Sequence, residues 1–288
     1  MLKNFKQAIV LSLVLILSLF SLSCKKKDEN SGKTSQRDLR AAENQNASSA
    51  NINTEITIPQ NEIKNELKLP ILMYHHLGPL PPNPDKYRLD LTLPGNMLEE
   101  QLKFLRDSGY QSINLQAVAD YFEIGKPLPE KAVALTFDDG YVDNFEYALP
   151  ILKKYNFKAT FFIISGFVGT SGYMNFDQLR EISSNGMEIA SHGVGHLDLT
   201  TLSPTKLNSE LQNSKEVLEK NLNISVVSFC YPSGKYNANV ATKVKALGYK
   251  LARTTDPGTI VYKDKLFELS TTRIHNTTTA EGLKNLIK

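Results

Sequence analysis

The sequence predicts an α/β domain in which a parallel sheet is covered by helices and curls into a barrel. Three observations predict it. From Leu69 onward, short apolar runs alternate with helical patterns in roughly seven β–α units. The runs, such as Val133 to Phe137 and Ala159 to Ile164, are almost continuously apolar, as expected of strands buried on both faces. Residues able to do chemistry follow directly on strand ends: His75-His76, Asp138-Asp139, His192 and Cys230-Tyr231-Pro232. In barrels of this kind, active sites are built at the carboxyl ends of the strands.

The chain of 288 residues divides into three parts. Residues 1–23 carry Lys3 and Lys6 ahead of an apolar stretch from Ala8 to Leu22, interrupted only by serines. This is the pattern of a secretory signal, too short and too early for an ordinary spanning helix. It runs into Ser21-Leu22-Ser23-Cys24, which resembles a bacterial lipoprotein signal, with Cys24 as the acylated first residue. The expectation is an exported, lipid-anchored protein of the cell envelope, periplasmic or on the outer surface. An ordinary cleaved signal with an incidental cysteine would give a secreted one. Residues 24–67 are rich in Lys, Asn, Ser, Glu and Gln and hold no aromatic residue, so they are expected to form a disordered tether. A flexible chain of about 40 residues reaches roughly 35 Å. Residues 68–288 suit one large α/β domain.

The net charge of +3 is mild, and no basic stripe interleaved with aromatics speaks for nucleic acid. With two cysteines and one assigned to lipid, no disulfide is expected; Cys230, after Val226-Val227-Ser228-Phe229, reads as a small buried side chain at a strand end.

In order along the folded part, Pro70 to His76 reads as a strand. Leu98 to Asp107 reads as a helix stopping at Gly109, Ser112 to Leu115 as a short strand, and Ala117 to Phe122 as a helix. After the strand from Lys131, Phe145 to Tyr155 is helical with a break at Pro150. The strand from Lys158 follows, then a helix capped by Asn175 that ends at Gly186. The next strand runs from Met187 into His192. Ser203-Pro204 opens a long helix to about Asn221, and Val226 to Phe229, a helix from Ala238 to Leu247, and the strand from Lys250 continue the alternation.

Two motifs carry the chemistry: Thr136-Phe137-Asp138-Asp139-Gly140 and His192-Gly193-Val194-Gly195-His196. Alone, Asp-Asp-Gly describes a turn. The Gly-Val-Gly spacer is a poor helix interior, so the two imidazoles come from a loop rather than from a helical zincin motif. Taken together, two neutral imidazoles and one carboxylate form a catalytic zinc set with a position left for water. The other carboxylate is then free to act as a base.

In combination these residues resemble the polysaccharide deacetylases of the NodB-homology type, carbohydrate esterase family four, from Leu69 to Lys288. Phe229 to Gly234 resembles that family's third motif, and Pro70 to His76 is similar to the opening strand of its poly-N-acetylglucosamine subgroup. The resemblance implies a distorted (β/α) barrel of about seven parallel strands. It implies Asp139, His192 and His196 as ligands of a divalent metal, usually Zn2+, and Asp138 as general base. It implies a backbone N–H near Ser233 as an oxyanion donor, with Gly234 permitting the turn. Two departures stand out. The third motif has Cys230 where many members have an arginine that orients the base, and Arg253 is the candidate to replace it. For the general acid, His275 is the candidate, the alternative being an exposed strand-end histidine, with Asp256 either orienting it or starting a turn. Of His75 and His76, at most one faces the site, because side chains alternate along a strand. Asp143 reads as a cap of the following helix. Tyr231 and Tyr74 either line a sugar subsite or belong to the core. The implied function is removal of N-acetyl groups from an N-acetylated glycan, an exopolysaccharide or peptidoglycan. An O-acetyl polysaccharide esterase would use the same machinery, and a non-catalytic glycan-binding lipoprotein is a third reading.

Overall fold

The computed structural model describes residues 63–288, so the expected signal 1–23, Cys24 and the tether as far as residue 62 lie outside the described residues. Among the described residues, no helix is long and apolar enough to cross a membrane. Eight strands form the main sheet: β1 (Ile71–Tyr74), β2 (Gln111–Ile113), β3 (Ala132–Phe137), β4 (Thr160–Ile163), β5 (Glu188–Ser191), β6 (Ser228–Cys230), β7 (Leu251–Pro257) and β8 (Leu269–Arg273). Seven of them close a ring in the order β1-β3-β4-β5-β6-β7-β8, with β8 returning to β1. Every pairing in the ring is parallel. β2 stands outside it, paired with the first half of β3. The barrel expected from the alternation is therefore present.

The period of two along each strand sorts side chains between two cores. Ile71, Ala134, Phe162, Ala190, Cys230, Leu251 and Leu269 cluster inside the ring. Leu72, Leu135, Phe137, Phe161, Ile189, Phe229 and Ala252 face outward and pack with helix residues such as Leu102, Leu149, Leu179 and Leu211. Each fully buried Leu or Phe contributes about 1.5–3 kcal/mol relative to exposure. The outer layer is held by local signals that the sequence carries. Asn175 and Gln178 form a capping box on the helix Phe176–Ser184, and Ser203 caps Pro204–Leu222.

The structure revises the reading at four places. The expected helix Phe145 to Tyr155 begins as a π-helical turn, Asn144–Ala148, and becomes α-helical over Leu149–Tyr155. Pro150, which cannot donate to the preceding turn, sits just where the π-helical turn gives way to the α-helix. β8, Leu269-Ser270-Thr271-Thr272-Arg273, has no apolar run and so no strand signal in the sequence. A short helix, Lys86–Leu91, capped by Asp85, is a further element beyond the expected ones. Finally, Glu66–Lys68 pairs antiparallel with Ile260–Tyr262, so residues 66 and 67, assigned by composition to the tether, belong to the fold.

Candidate active site

The same parity that builds the core delivers polar groups to the carboxyl-terminal mouth of the barrel. Continuing the inward rows, Ala134 leads to Asp138, Ala190 to His192, Leu251 to Arg253, and Ile71 to His75. On a continuous strand Asp139 would face away from Asp138. Its backbone instead takes a left-handed φ of 72°, followed by Gly140 at 82°, and this turn brings the second carboxylate back over the mouth. Asn or Asp accepts such a backbone better than most residues, which gives the Asp-Asp-Gly order a physical reason.

Three donor groups converge there. Oδ1 of Asp139 lies 3.3 Å from Nε2 of His192 and 3.5 Å from Nε2 of His196. It accepts no hydrogen bond although it is shielded from solvent. Three lone-pair atoms converging without hydrogen bonds among them fit a cation, and these donors suit Zn2+. The groups that hold the two histidines support the same use. Nδ1 of His192 lies 2.8 Å from the carbonyl oxygen of Cys230, which only accepts, so Nδ1 carries the proton and Nε2 keeps its lone pair. The His196 loop is held by Glu210 of the long helix, whose carboxylate accepts the N–H groups of Val194 at 3.0 Å and Gly195 at 2.8 Å. Lys206 lies 3.2 Å from Glu210. Burial works to raise the Asp139 carboxyl, but the imidazoles around it, His192 above all, hold it well below the usual carboxylate range.

Asp138 is 2% exposed and is gripped by Arg253, which is 0% exposed. The guanidinium bonds Oδ2 of Asp138 and reaches Sγ of Cys230 at 2.8 Å, and it lies over the ring of Phe162. The arginine missing from the third motif is thus supplied from the next strand: Arg253 and Cys230 are paired in register across β7 and β6. Oδ1 of Asp138 is buried and makes no hydrogen bond, leaving one oxygen free for a ligand. Nε2 of His75 is 3.7 Å from Oδ2 of Asp138. Burial lowers the His75 pKa against the pull of Asp138 and Asp139, so His75 faces the site as a neutral ring. His76 faces the other way, as strand alternation requires. Its Nδ1 meets Asp143 at 2.8 Å, and Asp143 makes no helix-capping bond, contrary to expectation.

His275 follows β8 at the same end of the barrel, and its Nδ1 lies 2.9 Å from Oδ1 of Asp90. Asp256 is not its partner; its own N–H is donated to the Thr254 hydroxyl. Asp90 lies on the short helix Lys86–Leu91, in a proline-rich stretch without periodicity, so nothing in the pattern pointed to it. Ser233, exposed after β6, has φ of 54° and Gly234 has 71°. A Cβ on Gly234 would come within 2.0 Å of the Thr255 hydroxyl oxygen, so only glycine fits this turn. Tyr231 and Tyr74 do not line a sugar subsite. Both are buried core residues, with hydroxyls donated to the Phe267 carbonyl and to Gln101 respectively.

Comparison with known proteins agrees with this geometry. The family model described as Polysaccharide deacetylase matches residues 125–252. The chain is 33% identical over 207 residues to YxkH of Bacillus subtilis (strain 168), which is named as a member of the polysaccharide deacetylases; the match covers 72% of this chain and 71% of that protein. It is 31% identical over 169 residues to the poly-beta-1,6-N-acetyl-D-glucosamine N-deacetylase of Staphylococcus aureus (strain MSSA476), covering 54% of this chain and 58% of that one. Among solved structures, the Streptococcus pyogenes deacetylase PplD in complex with acetate superposes with a TM-score of 0.71 at 33% identity, covering 77% of this chain and 99% of PplD. A barrel whose mouth gathers two aspartates and two histidines, matched over most of its length by YxkH and PplD, belongs to the polysaccharide deacetylase family of hydrolases.

Proposed function

We propose that this hydrolase removes N-acetyl groups from a polysaccharide containing N-acetylglucosamine, with a divalent cation, Zn2+ by its donor set, held by Asp139, His192 and His196. Such a cation, when bound, supplies Lewis acidity for water activation and carbonyl polarisation. The observation that carries the reading is the division of labour between adjacent carboxylates. Asp139 turns to the imidazoles, while Asp138 keeps one unbonded oxygen beside them and is fixed by Arg253. Asp138 takes the proton of the attacking water as oxygen adds to the acyl carbon. The Ser233 backbone N–H, presented by the left-handed turn, stabilises the resulting oxyanion; one such donor is worth about 3–4 kcal/mol of barrier. The C–N bond then breaks, His275, oriented by Asp90, returns a proton to nitrogen, and acetate and a free amine leave. Likeness to the S. aureus enzyme supports an amide of glucosamine over a sugar ester. From the sequence alone, we further propose that Cys24 is acylated and anchors the protein to a membrane of the cell envelope; mass spectrometry of the mature amino terminus tests this.

The full chain loaded with Zn2+ is expected to bind one ion and to release acetate from an N-acetylglucosamine oligomer. Asp138→Asn keeps the ion and loses turnover, whereas His192→Ala loses the ion. Preferred release from acetylated xylan replaces the amide reading with the ester one, and no release from oligomer, peptidoglycan or xylan overturns the enzyme reading.

A further inference from the structure

Three aromatic rings lie beside the metal set. Tyr141 stacks on His76 with ring centroids 3.5 Å apart, Tyr173 follows at 5.2 Å from Tyr141, and Phe167 meets Tyr173 edge-on at 5.0 Å. All three are partly exposed, unlike Tyr74 and Tyr231. None of the three is among the residues packed in or against the two hydrophobic cores.

We infer that Tyr141, Tyr173 and Phe167 form a sugar-binding subsite that takes the apolar face of a pyranose ring next to the residue being deacetylated. The inference rests on the deacetylase reading and assigns how that site holds its polymer. Its first support is position. The loop is bonded through its backbone to both halves of the metal site. Ser165 and Gly166 donate to the carbonyls of Gly193 and Val194, both at 3.0 Å, and Met174 donates to Gly140 at 3.0 Å. Val142 in turn donates to Gly172 at 2.9 Å, and Tyr141 and Tyr173 are bridge partners. A Cβ on Gly166 would lie 2.5 Å from the Val194 oxygen, so the close approach that locks loop to loop demands glycine there. The row is thereby held at a set distance from Asp139 and His196, as a subsite must be if it is to place one particular acetamide.

A second support is rigidity. Behind Tyr141, His76 is clamped by Asp143 at 2.8 Å, and Arg88 lies 3.4 Å from the same carboxylate. This part-buried polar cluster fixes the stacked ring from behind. An aromatic side chain has few rotatable bonds, and one already immobilised loses little entropy on binding. Sugar rings offer C–H groups on one face and hydroxyls at the rim, which suits a stacked row that also presents phenol hydroxyls.

The test is binding of a β-linked N-acetylglucosamine pentamer to the full chain by calorimetry, with chelator present so that no turnover occurs. Tyr173→Ala is expected to weaken binding by about tenfold, which corresponds to about 1.4 kcal/mol and to the loss of one stacked ring. Tyr173→Phe, which keeps the face, should bind within about twofold of wild type on the same scale. With Zn2+ restored, Tyr173→Ala should raise KM for the pentamer more than it lowers kcat. Unchanged binding by Tyr173→Ala, equal loss in the Ala and Phe variants, no binding by wild type, or a fall in kcat at constant KM would overturn the subsite. Failure of the deacetylase reading appears separately, as absence of acetate from every glycan, while the calorimetric comparison still decides the subsite.

Discussion

Replacing Arg253 with methionine probes the pair on which the base depends. Both partners are sealed from water, at 0% exposure for Arg253 and 2% for Asp138, so the variant strands a buried carboxylate. Removing one member of a buried pair costs about 3–5 kcal/mol, because the survivor keeps its desolvation penalty and loses its compensation. For a domain of this size each kcal/mol lowers Tm by about 2–4 °C, giving a fall of roughly 6–20 °C. Asp138→Asn strands the arginine instead and should cost a similar amount. In the double variant neither member of the pair is charged, so it should be more stable than Arg253→Met alone. The coupling in the double-mutant cycle should reach about 2 kcal/mol, within the range for residues in direct contact. The assay is urea unfolding of all four proteins with chelator present, since a bound ion would add stability by mass action. Acetate release by Arg253→Met should fall by about 10²–10⁴, the range for losing a positioned base. Additive costs, or Arg253→Met unfolding within about 1 kcal/mol of wild type, would refute the claim that this pair is a buried, energetically coupled unit.

Two further outcomes follow from polar groups elsewhere in the barrel. Glu188, at the start of β5, is buried and accepts hydrogen bonds from Thr160 and the Gln116 N–H; burial raises its pKa above the ordinary carboxyl value despite those bonds. A raised folded-state pKa gives stability that is complete below the unfolded value and is lost as pH rises through the folded one. The urea midpoint of Glu188→Gln should therefore gain on wild type between pH 4 and pH 8, and a pH-independent difference would contradict this. Asp90 and His275 are 48% and 45% exposed at their side chains, so their electrostatic coupling is worth less than about 1 kcal/mol. Asp90→Asn should lower kcat only severalfold, whereas His275→Ala should cost about 10²–10⁴ if it is the acid. Equal losses in the two variants would mean that Asp90 does more than orient the ring.

Much of the site was legible because strand parity and motif agree. The runs ending at Asp138 and His192 have inward rows that lead straight to the base and the metal set, and Arg253 could be named because it follows the apolar start of a later strand, which the structure extends to Pro257. Helix caps at Asn175 and Ser203 were legible for the same local reason. What stayed hidden depends on contacts distant in sequence. Asp90 reaches His275 across 185 residues, and Glu210 is a polar position on an amphipathic helix until its carboxylate is seen against Val194 and Gly195. Tyr231 and Tyr74 were ambiguous because a tyrosine beside a strand end has the same pattern whether its ring is buried or open. The aromatic row was invisible because Tyr141 and Tyr173 meet only once the loop after β4 folds back.

The seam of the barrel has a consequence for how the protein comes into being. β1 is bonded to β3 on one side and to β8 on the other, and the Thr271 hydroxyl caps the carbonyl of Ile71 from 200 residues away. Until a ribosome has released the last strand, β1 and β7 each present a raw edge to which a neighbouring nascent chain could add. Assembly is thus gated by the synthesis of β8, with long-range pairing setting the pace. Nonsense or frameshift changes ahead of residue 269 would be expected to leave sticky, protease-prone half-barrels in place of smaller working enzymes.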